Sequence, residues 1–218
     1  MERYLRQTLF APLGEAGQRL LQRGRVLIVG CGALGGTVAD LLVRAGVGKD
    51  NGRITLLDPD VVQLSNLHRQ MLFTEEDAQQ ERLKVEAARK ALLQADQAAN
   101  LEVFPIRFER SNLSMVADCD VLVDATDNFP SRFLMNQAAV RYGKPFVTAG
   151  VSGASGQTMT IIPGETACLE CFLQAVAKKE GQENPIPVLG PLPQILGAME
   201  AVEKGNWSLL STSMTAGA

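Results

Sequence analysis

Histidine is almost missing from this chain of 218 residues: His68 is the only one. Its neighbours are Leu67 and Arg69, with no acidic group to orient an imidazole, so a mechanism built on histidine acid–base chemistry is not expected. Cysteine is scarce too, and four widely scattered thiols do not make a disulfide framework. Cys31, between glycines, and Cys119, just ahead of an apolar run, read as small buried hydrophobes rather than nucleophiles. A reducing cytoplasm is the expected location. An excess of positive charge is also lacking: 21 Lys and Arg stand against 24 Asp and Glu, a net charge of -3, which gives nucleic acid or an anionic membrane surface no general attraction. No apolar stretch approaches the ~20 residues of a membrane-spanning helix. The opening Met1-Glu2-Arg3-Tyr4-Leu5-Arg6 has no apolar signal-peptide core. What remains is a chain that is 46% hydrophobic and long enough for one substantial core, so residues 1–218 are expected to form a single domain.

The pattern along the chain is that of an α/β protein. Residues 1–24 read as an extended arm followed by a short helix, with Leu13, Ala16, Leu20 and Leu21 at helical spacing before Gly24. Val26, Leu27, Ile28 and Val29 form an unbroken apolar run, as expected of a parallel strand covered on both faces, and residues 34–45 read as the returning helix ending at Gly46. The alternation continues with strands expected over 54–57, 101–108, 121–123 and 146–148, and helices over 84–93 and 133–142. Such alternation predicts a Rossmann-like, doubly wound, mostly parallel sheet whose ligands sit beyond the carboxyl ends of its strands. After Gly150 the weak alternation of residues 157–162 predicts that the sheet finishes with antiparallel strands. Residues 178–187 read as a mobile loop, and 192–203 as a last helix with Pro191 and Pro193 at its entry.

Two short segments carry the chemistry. Gly30-Cys31-Gly32-Ala33-Leu34-Gly35 follows a strand and opens a helix, a setting in which backbone amides approach phosphate oxygens at the positive helix end. Asp58 ends the next strand, 23 residues after Gly35, and suits the hydroxyls of a ribose. To this point an NAD-dependent oxidoreductase fits equally well. Directly after Asp58, however, Ser65-Asn66-Leu67-His68-Arg69-Gln70 places two amide side chains and a guanidinium, and Arg is suited to clamp the charge of a triphosphate. Lys84 by itself reads as a helix-surface lysine, and Asp124 and Asp127 as turn or capping residues. Asp127-Asn128 nevertheless follow a strand that points to the same edge as the glycine turn, which suits magnesium.

Taken together with Lys84 in Leu83-Lys84-Val85-Glu86, Asp124-Ala125-Thr126-Asp127-Asn128, Arg3-Tyr4-Leu5-Arg6-Gln7 and Val188-Leu189-Gly190-Pro191, these segments resemble the ThiF/MoeB family, relatives of the ubiquitin-activating enzymes, over roughly residues 3–203. The resemblance implies an ATP- and Mg²⁺-dependent adenylyltransferase that activates the C-terminal glycine carboxylate of a ubiquitin-like sulfur carrier ending in Gly-Gly, with release of pyrophosphate, in molybdopterin or thiamine synthesis. It implies that Gly32 and Gly35 line the phosphates, Asp58 the ribose, and Asn66, Arg69 and Lys84 the outer phosphates, with Gly30 and Gln70 also among the nucleotide-binding residues. Asp127, beside Asn128, would hold magnesium. Arg6 would reach the same phosphates from the second subunit of a homodimer. Physical chemistry agrees, because the attacking carboxylate is already ionised at neutral pH and asks for positioning and charge neutralisation rather than a base.

The chain departs from the family at two places. Cys168-Leu169-Glu170-Cys171 has the spacing of half a structural zinc site, which needs four ligands, and the family's second pair comes near the C-terminus. No Cys or His follows Cys171 before Ala218, so the tail reads as shortened, and the pair is expected either to hold no Zn²⁺, to share it between two subunits, or to be completed by residues beyond Ala218. Some members also carry a cysteine before the Val-Leu-Gly-Pro segment that links covalently to the carrier. Here Glu183, Asn184 and Pro185 occupy that stretch, which favours adenylation alone, as in the MoeB branch. Two other readings compete: the oxidoreductase, which shows no hydride-transfer acid–base pair, and a non-catalytic relative, against which the intact signature argues.

Overall fold

The computed structural model describes residues 2–176 and 187–204. The expected mobile loop therefore lies, apart from Pro187, outside the described residues. In chain order the elements are a 3-10 turn Glu2–Tyr4, α1 Leu5–Thr8, α2 Gly14–Arg23, β1 Arg25–Val29, α3 Ala33–Ala45, β2 Arg53–Leu57, α4 Glu75–Gln79, α5 Lys84–Ala95, β3 Leu101–Phe104, a 3-10 segment Arg110–Val116, β4 Val121–Asp124, α6 Phe129–Tyr142, β5 Phe146–Ser152, β6 Ser155–Ile161, α7 Leu169–Val176 and α8 Leu192–Lys204. Among the described residues no helix is long and apolar enough to cross a membrane.

The strands form one sheet in the order β3-β2-β1-β4-β5-β6, parallel except for the final antiparallel β5–β6 pair, as the sequence pattern predicts. The order reverses between β1 and β4. Register brings Val29 level with both Leu57 and Asp124, so Gly30, Asp58 and Ala125 leave the sheet side by side. In an open α/β sheet this reversal leaves a crevice that helices do not cover.

Burial on both sides explains the unbroken apolar strands. Val26 and Ile28 of β1 point with Ile54 and Leu56 into one core layer, completed by Val38, Ala39 and Val43 of α3 and Val85, Ala88 and Leu92 of α5. Leu27 and Val29 point the other way with Leu57, Leu122 and Phe146, against Met135 and Ala139 of α6. Each such aliphatic side chain contributes about 1.5–3 kcal/mol when fully buried, which outweighs any local preference of these segments.

Several expectations need correction. The N-terminal arm is helical rather than extended, because it folds back on the end of α3. The Tyr4 ring packs where a Cβ on Gly46 would stand 2.6 Å away, and Gln7 Nε2 donates to Ala45 O (3.1 Å) and Gln18 Oε1 (2.8 Å). In α2 the buried residues are Gln18 and Leu21, with Leu13 buried just before the helix, while Ala16 is exposed and Leu20 half-buried. Gln18 takes its inward place by donating to Ala45 O at 2.9 Å. The strand expected over 101–108 stops at Phe104, since Pro105 has no N–H to continue a ladder. Helix α6 begins at Phe129 instead of residue 133, set by Asn128, whose Oδ1 accepts from Ser131 N at 3.0 Å, with Pro130 in the first turn. The short α4, capped by Thr74 and Asp77, and α7 had no counterpart in the pattern.

Two buried carboxylates make the fold acid-sensitive. Burial pushes Asp96 up, but Lys49 (2.5 Å), the Ala98 N–H (3.1 Å) and Arg3 (2.5 Å) outweigh it, and the group lies below its ordinary value. Burial likewise pushes Asp77 up and is outweighed by Thr74, Arg82 and Lys90. A carboxylate depressed by folding stabilises the protein above its unfolded pKa of about 3.9 and loses that contribution as pH falls through the folded value. Urea midpoints are therefore expected to drop progressively below about pH 5, less steeply in Asp96→Asn than in the wild type.

Candidate active site

The floor of the crevice is the turn between β1 and α3. Gly30 has φ +98, and a Cβ there would sit 2.4 Å from Ala125 O, so only glycine lets the turn lie against the strand that follows. Gly30 N donates to Leu57 O at 2.7 Å, which ties the turn to β2 as well. A Cβ on Gly35 would stand 1.9 Å from Gly30 O, so the helix closes directly onto the turn. Gly32 is the residue just before α3. A Cβ there would first meet Gln70 Nε2 at 3.5 Å.

Asp58 leaves β2 beside this turn and is nearly buried. Its Oδ2 accepts from Cys31 N (2.7 Å) and its Oδ1 from Asp60 N (2.9 Å). Burial pushes the carboxyl up, Lys84 and the two N–H groups pull it down, and Asp60 raises it again, with a net rise. The thiol of Cys31 is fully buried, and burial, then Asp58, push it far up, against Lys84. Such a thiol does not ionise, as expected of a packing residue. Cys119 is buried as well.

Lys84 is not a surface lysine. Only 8% of it is exposed, at the first position of α5, and its Nζ pairs with the exposed Asp60 Oδ2 at 2.9 Å. A cation at a helix N-terminus faces the unfavourable end of the dipole. This placement favours an anion beside it, here Asp60.

The segment 64–70 opens with a 3-10 turn, Leu64–Asn66, and is held by its own side chains. Asn66 is buried and its Oδ1 accepts from Gln63 N at 3.1 Å. Arg69 Nη1 donates to Ser65 O at 3.1 Å and lies 3.3 Å from His68 Nε2, while His68 Nδ1 donates to Ser65 O at 3.0 Å. Helix α8 secures the segment from the other side, since Gln194 Nε2 donates to Arg69 O. Gln70 is 5% exposed and its Oε1 has no hydrogen-bond partner among the described residues. A buried amide oxygen without a partner, beside the glycine turn, leaves an acceptor open to a water or a polar ligand.

Across the turn, loop 125–128 leaves β4. Asp124 is fully buried and accepts from Thr126 N (2.9 Å), Thr126 Oγ1 (2.6 Å) and Thr148 Oγ1 (2.6 Å), with Arg132 Nε 2.6 Å away. Asp127 is exposed and forms no hydrogen bond or ion pair among the described residues. Asn128 spends its Oδ1 on capping α6. Register thus assembles Gly30, Gly32, Gly35, Asp58, Asn66, Arg69, Gln70, Lys84, Asp127 and Asn128 along the carboxyl edge of β1, β2 and β4 and the segments that follow them. Arg132 escaped sequence reasoning. Its signal was a charged residue in the second turn of a helix starting at an Asn-x-x-Ser cap.

Arg6 lies exposed on α1, with no ion pair among the described residues. Cys168 and Cys171 are free, their Sγ atoms 3.6 Å apart at the start of α7. Among the described residues no group of three or more His, Cys, Asp or Glu is arranged to hold a metal.

Comparison with known proteins bears on family and fold. The chain is 41% identical over 175 residues to the sulfur carrier protein ThiS adenylyltransferase of Bacillus subtilis, covering 80% of this chain and 51% of that protein. It is 36% identical over 215 residues to the sulfur carrier protein adenylyltransferase of Thermus thermophilus, covering 93% and 76%. The chain thus spans about half the length of the first relative and three quarters of the second. Among solved structures, Escherichia coli MccB crystallised with ATP superposes with a TM-score of 0.79 at 24% identity, covering 96% of this chain and 64% of that one, a likeness of fold. The ThiF family pattern matches residues 4–209, and the chain belongs to the ThiF family.

Proposed function

We propose that the protein is an ATP-dependent adenylyltransferase that activates the C-terminal glycine carboxylate of a ubiquitin-like sulfur carrier ending in Gly-Gly, for molybdopterin or thiamine synthesis. The observation that carries this reading is the meeting, at one strand edge, of a glycine turn with two buried polar groups aimed at it and a buried lysine. The two relatives, named as adenylyltransferases of sulfur carriers, support the same reading. Under it, Gly30, Gly32 and Gly35 approach the phosphates, Asp58 receives the ribose hydroxyls, and Lys84, Asn66, Arg69 and Gln70 surround the outer phosphates. Lys84 would exchange Asp60 for a phosphate oxygen. Arg6 of a second copy, uncommitted in its own chain, would complete the cationic shell.

The carrier carboxylate, ionised at neutral pH, attacks the α-phosphorus, forming the acyl–phosphate bond while the bond to pyrophosphate breaks and the electron pair leaves with it. The chain's own work is to hold the two reactants in line and to neutralise the charge that grows on the leaving group. Asp127, exposed and uncommitted, fits magnesium, which prefers one or two carboxylates together with phosphate oxygens and water. When bound, the ion supplies charge neutralisation across the phosphates. Zinc does not fit in the same way. The 3.6 Å between Cys168 and Cys171 is close to the ~3.8 Å edge of a tetrahedron with ~2.3 Å Zn–S bonds, but it supplies two ligands of the four required. No step here depends on it.

The test is isotope exchange between pyrophosphate and ATP in the presence of a carrier ending in Gly-Gly. Exchange should depend on carrier and on Mg²⁺ and vanish when the carrier's last glycine is removed. Folded protein that binds NADH tightly but neither binds ATP nor supports exchange with several such carriers would overturn the reading in favour of an oxidoreductase.

A further inference from the structure

We infer that Arg132 is the positioning residue for the metal-binding carboxylate of this site, holding loop 125–128 so that Asp127 faces the crevice. The inference rests on the function proposed above. From the second turn of α6, the Arg132 guanidinium reaches back under the loop. Its Nε lies 2.6 Å from Asp124 Oδ2, and its Nη2 donates to both Thr126 O (3.0 Å) and Ala149 O (2.7 Å). One planar group therefore joins the last residue of β4, the middle of the loop and a residue within β5. A Cβ on Gly150 would come within 3.2 Å of Nη1, so the next residue of β5 leaves room for it.

The arrangement fixes the loop on both sides of Asp127 and leaves Asp127 itself free. Thr126 is bound through its N–H and hydroxyl to Asp124 and through its carbonyl to Arg132, and Asn128 is bound to the first turn of α6. Stability alone does not call for this device, because a buried ion pair is often no better than well-packed hydrophobic side chains of the same volume. A fixed geometry does call for it: groups that orient a metal ligand typically change metal affinity roughly 10–100-fold when removed. A lysine has a single nitrogen, which cannot stand both beside Asp124, as Nε does, and between the two carbonyls, as Nη2 does.

The experiment compares wild type, Arg132→Gln and Arg132→Lys, using Mn²⁺ as a paramagnetic stand-in for Mg²⁺. Mn²⁺ affinity is read by electron paramagnetic resonance with a non-hydrolysable ATP analogue at saturation, and analogue affinity is read separately in EDTA. Arg132→Gln should weaken Mn²⁺ binding roughly 10–100-fold while metal-free nucleotide affinity stays at the wild-type value, with Arg132→Lys in between. Circular dichroism reports folding, and if Arg132→Gln does not fold, Arg132→Lys carries the comparison under the same criteria. Unchanged Mn²⁺ affinity in a folded variant, or an equal loss with and without metal, would overturn the inference by showing a purely structural role. Wild-type protein that binds no nucleotide at all would instead remove the proposed function, and this inference with it.

Discussion

Arg69→Ala should leave the protein folded and lower the rate of pyrophosphate exchange by about 10²–10³, the usual loss when one preorganised donor to a developing charge is removed. The side chain is well placed for a selective effect. Its contacts stay within its own turn, to Ser65 O and the His68 ring, and that turn is held independently by Asn66 and by Gln194 from α8. Removing the guanidinium therefore deletes a cation without opening a cavity in either core layer. Arg69→Lys should recover only part of the loss, because a point charge cannot match two oxygens of a phosphate with a fixed fork. If Arg6 acts across subunits, Arg6→Ala and Arg69→Ala will each be defective alone and complement each other on mixing. Random reassortment in a symmetric dimer restores about a quarter of wild-type activity. Equal exchange by Arg69→Ala and wild type would sink the phosphate role, and failure of mixtures to recover would sink the role in trans.

Gly35→Ala should cost more stability than any other single methyl added to this chain's glycine turn. The new Cβ would stand 1.9 Å from Gly30 O and 3.0 Å from Ala125 Cβ. The first contact is with backbone, so no side-chain rotation relieves it, and α3 must lift away from β1. That movement would pull Val38, Ala39 and Val43, all fully buried, out of register with Ile28 and Ile54. A loss above about 4 kcal/mol is expected, a large part of the ~5–15 kcal/mol that holds an ordinary domain together. The control is Gly36→Ala, one residue further on, where the added methyl meets only the end of the Leu72 side chain at 3.3 Å. Its urea midpoint should correspond to a change within about 1 kcal/mol. Similar midpoints for the two variants would show that the helix does not rest on the turn as described.

How legible the molecule was depended on the range of the interactions involved. Strands β1, β2 and β4 and helices α3 and α5 were readable because burial on both sheet faces leaves a continuous apolar mark, and helix burial a periodic one. The arm before α2 was not, because its helical form depends on Tyr4 and Gln7 meeting Gly46 and Ala45, some forty residues away in sequence. Helix α4 is too short, at five residues, to show a period, and only its Thr-x-x-Asp cap announces it. The glycine turn, Asp58 and the Asn66–Gln70 run were readable as a site because each is a local segment with a local geometric reason. Lys84 was ambiguous, since nothing in Leu-Lys-Val-Glu says that the amine turns inward to Asp60. Arg132 was missed, its one faint signal being a charge just after an Asn-x-x-Ser cap, because its partners lie on β4, on the loop and on β5, and two of them are backbone carbonyls that every residue possesses.

The two rims of the sheet differ in a way that bears on how the chain survives its own synthesis. Parallel pairing requires distant segments to find each other, and meanwhile the outermost strands present unpaired amides and carbonyls to other molecules. On one rim, β3 offers only four residues, with Glu102 pointing outward and a proline immediately behind. On the other, Ser155, Gly156 and Gln157 of β6 are exposed and polar, and the hairpin to β5 brings the strand home through a two-residue turn. Brevity, charge and polarity of this kind discourage sticky nascent copies from zipping together. Any lasting association between copies is thereby steered toward helical and loop surfaces, where side chains rather than main-chain ladders decide who may bind.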